Sequence, residues 1–308
     1  MRSRTWTGFR SVLCPIDFSD SSRTALRYAE AIALRGNATL RVMYANDPLL
    51  LAAAAAALHD RRLVQRSAKE LQAFTESTLP VHSQKQLRVT SQVSTGDPAD
   101  EIIKAAARHR SDLVVLGTHG LTGVGRLLMG STTLGVLQRT KVPILAIPRA
   151  PEHATASTPS PSWPGEEIVA ALELDNSAGS DVESAARLAR WFGTSLLLLH
   201  VVNEIARPDW VSGDLSAHDQ TRVAQAQRLL DRLAARASFH VKTSSRVMCG
   251  SIASEITALA LSERTGLVIT ALHDRRGWFG ARRGSISYHV LTRAATPVFA
   301  YPPDWRPR

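Results

Sequence analysis

The sequence predicts an α/β protein made of two doubly wound domains, each a five-stranded parallel sheet with helices on both faces. Three observations predict it. Strand-like and helix-like patterns alternate along all 308 residues, the strand-like runs are mostly unbroken apolar stretches, and the chain repeats itself near its middle. Unbroken apolar strands are buried on both faces, and alternating strands and helices make right-handed crossovers between parallel strands. At about 150 residues per domain, a chain of 308 makes two.

The elements of the first half follow in order. Ser11–Ile16 is a short apolar run, a buried first strand. Ser19, Asp20, Ser21 and Ser22 supply capping groups for a helix on which Ala25, Tyr28, Ala29, Ile32 and Ala33 recur at helical spacing. Thr39–Ala45 is the second strand. Leu49 to Leu79 reads as one long helical stretch, with Val64, Ala68 and Leu71 on a common face and Pro80 as its stop. Leu87–Val93 alternates as a third strand. A Gly96–Asp97 turn then leads to a helix opened by Pro98 and running through His109. Asp112–Leu116 is the fourth strand, Ser131–Arg139 a helix, and Pro143–Ile147 the fifth strand, placed by its pattern at the edge of the sheet.

The same domain then recurs. A shift of 154 residues lays Gly96–Pro148 over Gly250–Pro302 without a gap, pairing Glu101 with Glu255, His119 with His273, Gly130 with Gly284 and Pro143 with Pro297. Earlier in the halves the shift is 156, pairing Asp17 with Glu173 and Leu40 with Leu196. The period is far too long for a solenoid. Residues 150–165, rich in Pro, Ser, Thr and Ala, form a linker between domains spanning 1–149 and 166–308. Its reach of roughly 20–25 Å would let the two fifth strands meet. Because an apolar edge strand invites pairing, the halves are expected to pack as a pseudo-dimer with those strands antiparallel. A homodimer of whole chains is also open.

Composition narrows the classes of function. Apolar residues make up 44% and charged residues 21%, which fits a globular chain and neither a disordered nor a fibrous one. The run Leu49–Leu58 is too short to span a bilayer, so no membrane partner is expected. The arginines of Met1–Arg10 precede an apolar stretch broken by Pro15 and Asp17, unlike a signal peptide. Cys14 and Cys249 form neither a disulfide framework nor a metal-ligand spacing, and a cytoplasmic location is the expectation. Net charge is +10, and the first 150 residues carry most of it, with 20 Lys and Arg against 11 Asp and Glu. That balance suits either a solvated basic surface or a polyanionic ligand of the first half.

In an open α/β sheet a ligand site lies outside the carboxyl ends of the strands, where strand order reverses. Two segments of the first half converge there: Pro15-Ile16-Asp17 at the exit of the first strand, and Gly117-Thr118-His119-Gly120 after the fourth. Nine residues beyond Gly120 comes Gly130-Ser131-Thr132-Thr133. Glycines admit tight turns and close approach of a ligand. Ser131, Thr132 and Thr133 open a helix and offer backbone N–H groups and hydroxyls to phosphate. Asp17 could accept a hydrogen bond from an adenine amino group or a ribose hydroxyl, or could cap the helix that follows. The spacing is not that of a Walker loop, and the glycines follow the fourth strand rather than the first, unlike a dinucleotide fingerprint.

The strings VLCPIDFSDSSRTAL (12–26) and GTHGLTGVGRLLMGSTTLGVLQRTKVPILAIP (117–148) resemble the N- and C-terminal signatures of universal stress protein domains. The resemblance covers 11–149 well and 166–303 more loosely, so the chain is similar to a tandem member of that family, with the adenine nucleotide alpha hydrolase-like fold it implies. In ATP-binding members Gly-x2-Gly-x9-Gly-Ser/Thr holds phosphates and ribose. The resemblance therefore implies an ATP site, with or without magnesium, built from Pro15, Ile16, Asp17, Gly117, Gly120, Gly130, Ser131, Thr132 and Thr133. It further implies that Ala45 and Leu116 flank the adenine and that His119 sits beside the loop. In the second half Ala271, Asp274 and Glu173 replace Gly117, Gly120 and Asp17, and only Gly284-Ser285 remains. A carboxylate at Asp274 would repel phosphate, although Arg275, Arg276, Arg282 and Arg283 could hold another anion or form a solvated basic loop.

Three functions compete. An ATP-binding module in stress response or signalling needs only this site. A slow ATPase or phosphotransferase would need a base and a cation on the transferred group, and only His119 and Arg126 stand near the loop. His119 recurs as His273 in the degenerate half, which favours a structural role, so no catalytic residue is assigned. Nucleic-acid binding lacks any helix-turn-helix, zinc or stacking signature.

Overall fold

The computed structural model describes residues 6–57, 62–118, 129–149, 159–205, 210, 216–251, 255, 265–272, 286–303 and 305–306. The first half runs β1 (Ser11–Pro15), α1 (Asp20–Gly36), β2 (Thr39–Asn46), α2 (Pro48–Ala57), α3 (Leu63–Thr78), α4 (Val81–Gln86), β3 (Val89–Thr95), α5 (Pro98–Arg108), β4 (Leu113–Gly117), α6 (Ser131–Arg139) and β5 (Ile144–Ile147). The second runs β6 (Glu167–Ala171), α7 (Ala178–Phe192), β7 (Ser195–Val202), α8 (Ser216–Ala237), β8 (Thr243–Cys249), β9 (Val268–Ala271), α9 (Ile286–Arg293) and β10 (Val298–Tyr301).

All ten strands form one sheet in the order β3-β2-β1-β4-β5-β10-β9-β6-β7-β8. Within each half the pairing is parallel, and β5 joins β10 antiparallel. Its register centres on Leu145 opposite Phe299, residues related by the same shift of 154 that relates the halves. A pseudo-two-fold axis therefore passes through that pair. The carboxyl ends of the strands point in opposite directions in the two halves.

Successive strand residues face opposite sides, so each strand feeds two cores. Val12, Cys14, Leu40 and Val42 pack with α1 and α3, and their counterparts Ile168, Ala170, Leu196 and Leu198 with α7 and α8. Leu13, Met43, Val114 and Leu116 pack with α5 and α6 on the other face. The result is three layers, helix on sheet on helix.

Local chemistry explains the helix ends. The Ser19 side chain accepts the Ser22 N–H at the start of α1, and Asn37 closes that helix in the left-handed region at φ 48°. Gly193, its counterpart after α7, does the same at φ 72°. Asp97 caps α5 by accepting the Asp100 N–H, with Pro98 in the first turn.

Three expectations are corrected. The stretch 49–79 is two helices, α2 and α3, with 58–61 outside the described residues; α3 ends at Thr78, just before Pro80 as expected, and Pro80 also leads into a further helix, α4. Proline is compatible with that position because the first N–H groups of a helix have no intrahelical partner. Of the three residues assigned to a common face only Leu71 is buried; Val64 is 43% exposed, and the buried side is Ser67, Leu71, Phe74, Thr75 and Thr78. The hydroxyls of Ser67, Thr75 and Thr78 bond back to carbonyls four residues earlier, which lets polar residues take the inner face. The end of the linker is docked as well. Trp163 packs edge-on against Tyr28 and Phe192, and its Nε1–H donates to Gly266 O at 2.7 Å. A tryptophan with a partnered N–H anchors a segment whose composition otherwise reads as flexible.

Candidate functional site

The order of strands reverses at β1, which lies between β2 and β4. A cleft of about 160 Å³ opens at the carboxyl ends of these three strands. Strand β1 brings Pro15, Ile16 and Asp17 to it, β2 brings Met43, Tyr44 and Ala45, and β4 brings Leu116 and Gly117. Gly130, Ser131, Thr132 and Thr133 come from the first turn of α6, Ser22 from α1, and Pro98 and Ile102 from α5. Ten of the sequence-predicted residues thus meet in one place. His119 and Gly120, and Arg126 with them, lie outside the described residues.

Asp17 sits at the exit of β1, where Ile16 N–H still donates to Met43 O at 2.9 Å. Phe18 then adopts φ 67°, a left-handed turn that costs a residue with a Cβ about 1–2 kcal/mol. The turn folds Ser19 and Ser22 back onto the carboxylate. Asp17 Oδ1 accepts from Ser19 N–H at 3.1 Å, Ser19 Oγ at 2.5 Å and Ser22 Oγ at 2.6 Å. Ser22 Oγ in turn accepts the Asp17 N–H at 3.0 Å. The helix cap is therefore Ser19, and Asp17 is the acceptor that holds the cap in place.

Gly117 has a packing reason. A Cβ there would lie 3.1 Å from Ser21 Cβ and 3.3 Å from its carbonyl, so a side chain would push α1 away. Across the cleft Thr133 Oγ1 donates to Gly117 O at 2.9 Å, and Gly130 N–H donates to Thr118 O at 2.9 Å. These two bonds fasten the start of α6 against the end of β4. The first N–H groups of α6 have no intrahelical acceptor and carry the positive end of the helix dipole.

The residues missed in the sequence are Ser22, Met43, Tyr44, Pro98 and Ile102. Pro98 and Ile102 stand four apart at the start of α5, a helical spacing that could have flagged them. Tyr44 packs against Phe18, with ring centroids 4.7 Å apart and the rings tilted by 51°. Burial, and after it the charges of Asp17 and Asp47, push the Tyr44 phenol above its ordinary value. Asp17 is the only charged residue in the described lining. Three described basic residues of the first half are engaged elsewhere: Arg23 lies over the Phe74 ring, Arg27 pairs with Glu30, and Arg139 pairs with Asp100. Among the described residues no group of His, Cys, Asp and Glu could hold a metal ion.

The equivalent place in the second half is built differently. Leu172 N–H donates to Leu199 O at 2.9 Å, repeating the Ile16–Met43 bond. His200 then stands where β2 has Tyr44, and its Nδ1 lies 2.8 Å from Leu172 O, so the ring is pinned to the strand exit with Nδ1 as donor. Val201 replaces Ala45, and Ala271 replaces Gly117. Helix α7 begins at Ala178, two positions later than α1 under the shift of 156. Asp274, Arg275, Arg276, Arg282, Arg283, Gly284 and Ser285 lie outside the described residues.

The model of the universal stress protein family matches twice, over residues 8–148 and 166–302. The chain belongs to the universal stress protein family. A universal stress protein of Mycobacterium tuberculosis is 23% identical over 311 residues and covers 93% of each chain, so the tandem arrangement is shared along the full length. A shorter universal stress protein of Methanocaldococcus jannaschii is 26% identical over 139 residues, 45% of this chain and 82% of its own. Among solved structures, a universal stress protein from Archaeoglobus fulgidus matches with a TM-score of 0.64 at 20% identity, covering 95% of this chain and 98% of that one. At that identity the likeness speaks for the fold, a pair of universal stress protein domains.

Proposed function

We propose that the first half binds one ATP per chain in the cleft at the ends of β1, β2 and β4, and that the protein works in stress response or signalling through nucleotide occupancy rather than fast turnover. One observation carries the reading: Asp17, Ala45, Leu116, Gly117 and Gly130–Thr133, far apart in sequence, line a single cleft. The apolar walls from Ile16, Met43, Ala45 and Ile102 suit a purine. The start of α6, with Ser131 and Thr132 beside its N–H groups, suits phosphate, and no basic side chain stands among the described lining residues. Asp17, already bonded to Ser19 and Ser22, faces the nucleoside as a fixed acceptor. The described residues do not fit a protein-held magnesium ion, since Asp17 is the only carboxylate in the lining. Any ion would be held by the phosphates themselves. His200, Val201 and Ala271 support the view that the second half has lost this ligand.

Titration of the full chain with ATP by calorimetry is expected to give a single site. Gly130→Val puts a branched side chain at the head of α6, in the cleft, and should weaken ATP by about tenfold or more. Two equal sites, or undiminished binding in Gly130→Val, would reject the assignment.

A further inference from the structure

A second cleft, of about 580 Å³, lies between α3 and the outer edge of β3. Strand β3 ends the ten-stranded sheet, so one side of its backbone has no strand neighbour. The ladder identifies the groups left over. Leu40 N–H donates to Arg88 O at 3.0 Å and Gly96 N–H to Asn46 O at 3.1 Å, while Leu40 and Val89 are Cα partners. In a parallel ladder a residue bonds to the two residues flanking its partner, so the even-numbered residues of β3 serve β2. The N–H and C=O groups of Val89, Ser91 and Val93 therefore face outward, and the same three residues line the cleft. Leu71 and Leu87 make its floor apolar.

The second half is the internal comparison. Strand β8 ends the sheet on the other side, and Ser245 and Val247 correspond to Ser91 and Val93 under the shift of 154. A shift of 159 superposes the buried faces of the covering helices, Leu71, Phe74, Thr75 and Thr78 of α3 on Leu230, Leu233, Ala234 and Ala237 of α8. There the outward Val247 N–H donates to Gln227 Oε1 at 2.9 Å. Asp231 Oδ1 accepts from Gln227 Nε2 at 2.6 Å and from Ser245 Oγ at 2.5 Å, which holds that amide in place. Under the same shift Gln227 corresponds to Ala68 and Asp231 to Gln72, and both of these line the first-half cleft. The helix of the second half plugs its own edge strand. In the first half a methyl stands where the plug would be, and the cleft is what remains.

We propose that this cleft is a docking site for an extended peptide, which adds as an eleventh strand beside β3 and lays apolar side chains, two residues apart, into the space under α3. The chemistry of the open edge names the occupant. Outward backbone groups at every second residue match the repeat of another extended backbone about 4.8 Å away, and a strand's carbonyl oxygen is the amide oxygen that Gln227 provides at the equivalent N–H. The apolar floor takes side chains at the strand period. A second copy of the chain fits less well, because its own β3 would turn Val89, Ser91 and Val93 toward its own α3 and leave both clefts unfilled.

The test uses the full chain and a fluorescein-labelled, end-capped peptide of alternating Thr and Val flanked by Lys. Anisotropy should report saturable binding, and hydrogen exchange should show new protection at Val89, Ser91 and Val93. The same peptide methylated on the backbone nitrogens that face β3 should bind about tenfold more weakly, since it keeps the side chains and loses the ladder. Ala68→Gln, an exposed position where the longer side chain imitates the second half, should weaken the peptide by a similar factor with an unchanged melting temperature. Ser91→Pro removes one outward N–H from an edge strand that tolerates proline, and should do the same. No saturable binding, binding indifferent to methylation or to Ala68→Gln, or protection mapped elsewhere would overturn the proposal. A concentration-dependent dimer of the unliganded chain that Ala68→Gln abolishes would put a second copy in the cleft and overturn it too.

Discussion

Asp17 carries two roles that a sequence cannot separate. A carboxylate at a strand exit reads equally as a ligand acceptor or a helix cap, and its bonds to Ser19 and Ser22 make it a support for the cap. Asp17→Ala should therefore lower both properties. The loss of a hydrogen bond to a charged group predicts ATP binding weaker by roughly 1.5–3 kcal/mol. The loosened cap should cost about 1 kcal/mol of stability, roughly 2–4 °C in melting temperature. Calorimetry and a thermal scan on the same variant check both; unchanged affinity with a lowered melting temperature would confine Asp17 to the scaffold. Gly117 shows the opposite ambiguity. A glycine in a loop motif suggests close approach of a ligand, and the neighbour that excludes a Cβ is Ser21 of α1.

At the level of elements, caps and continuous apolar strands were readable because they depend on neighbours in sequence. The Gly96-Asp97-Pro98 turn is an example. Asp97→Ala should remove the cap of α5 and cost about 1 kcal/mol, measured as a lower denaturation midpoint with an unchanged slope. Helix α5 also carries Asp100, which pairs with Arg139 of α6, so the change is felt beside the cleft as well. The buried face of α3 departs from its apolar pattern for a reason that is also local. Val64 and Ala68 look like core by type, but Ser67, Thr75 and Thr78 satisfy their hydroxyls within the helix and take the buried side. Apolar periodicity cannot register polar residues that are paired locally. The outer helix α2 makes the same point, since its residues are almost all apolar and only Ala54 is buried.

At the level of the whole molecule, the antiparallel β5–β10 pair turns two five-stranded sheets into one. Leu145 is 1% exposed and Phe299 2%, so a lysine at either place would bury an unpaired charge or force the seam apart. Leu145→Lys with Phe299→Lys should loosen the halves and speed cleavage of the linker by protease; a cleavage rate equal to that of the parent would mean that the strand pair is not what holds them. Aromatic residues add to the seam. Phe9 lies 5.3 Å from Trp191 and 6.0 Å from Phe299, and Arg35 donates to the carbonyls of Trp191 and Phe192 at the end of α7. Arg35 and Trp191 occupy the same position of α1 and α7 under the shift of 156, so unlike residues meet across the pseudo-two-fold axis. Arg35→Ala should weaken this contact by about 1 kcal/mol, read as a modest fall in melting temperature of the full chain.

The sequence by itself determined the α/β class, the duplication, the succession of strands along the first half and, with the family resemblance, ten of the residues around the cleft. Most of those follow from periodicities, caps and glycine spacing, which are properties of short segments, while Ala45 and Leu116 follow only from the resemblance to universal stress protein domains. Only the tertiary structure decided that Met43, Tyr44, Pro98 and Ile102 complete the cleft, because they come from strands and helices brought together by the reversal of strand order at β1. It alone decided that Arg35 meets Trp191, and that β3 has an open flank where β8 is plugged. Those facts depend on which residues of distant elements face each other, and a local pattern carries no record of that.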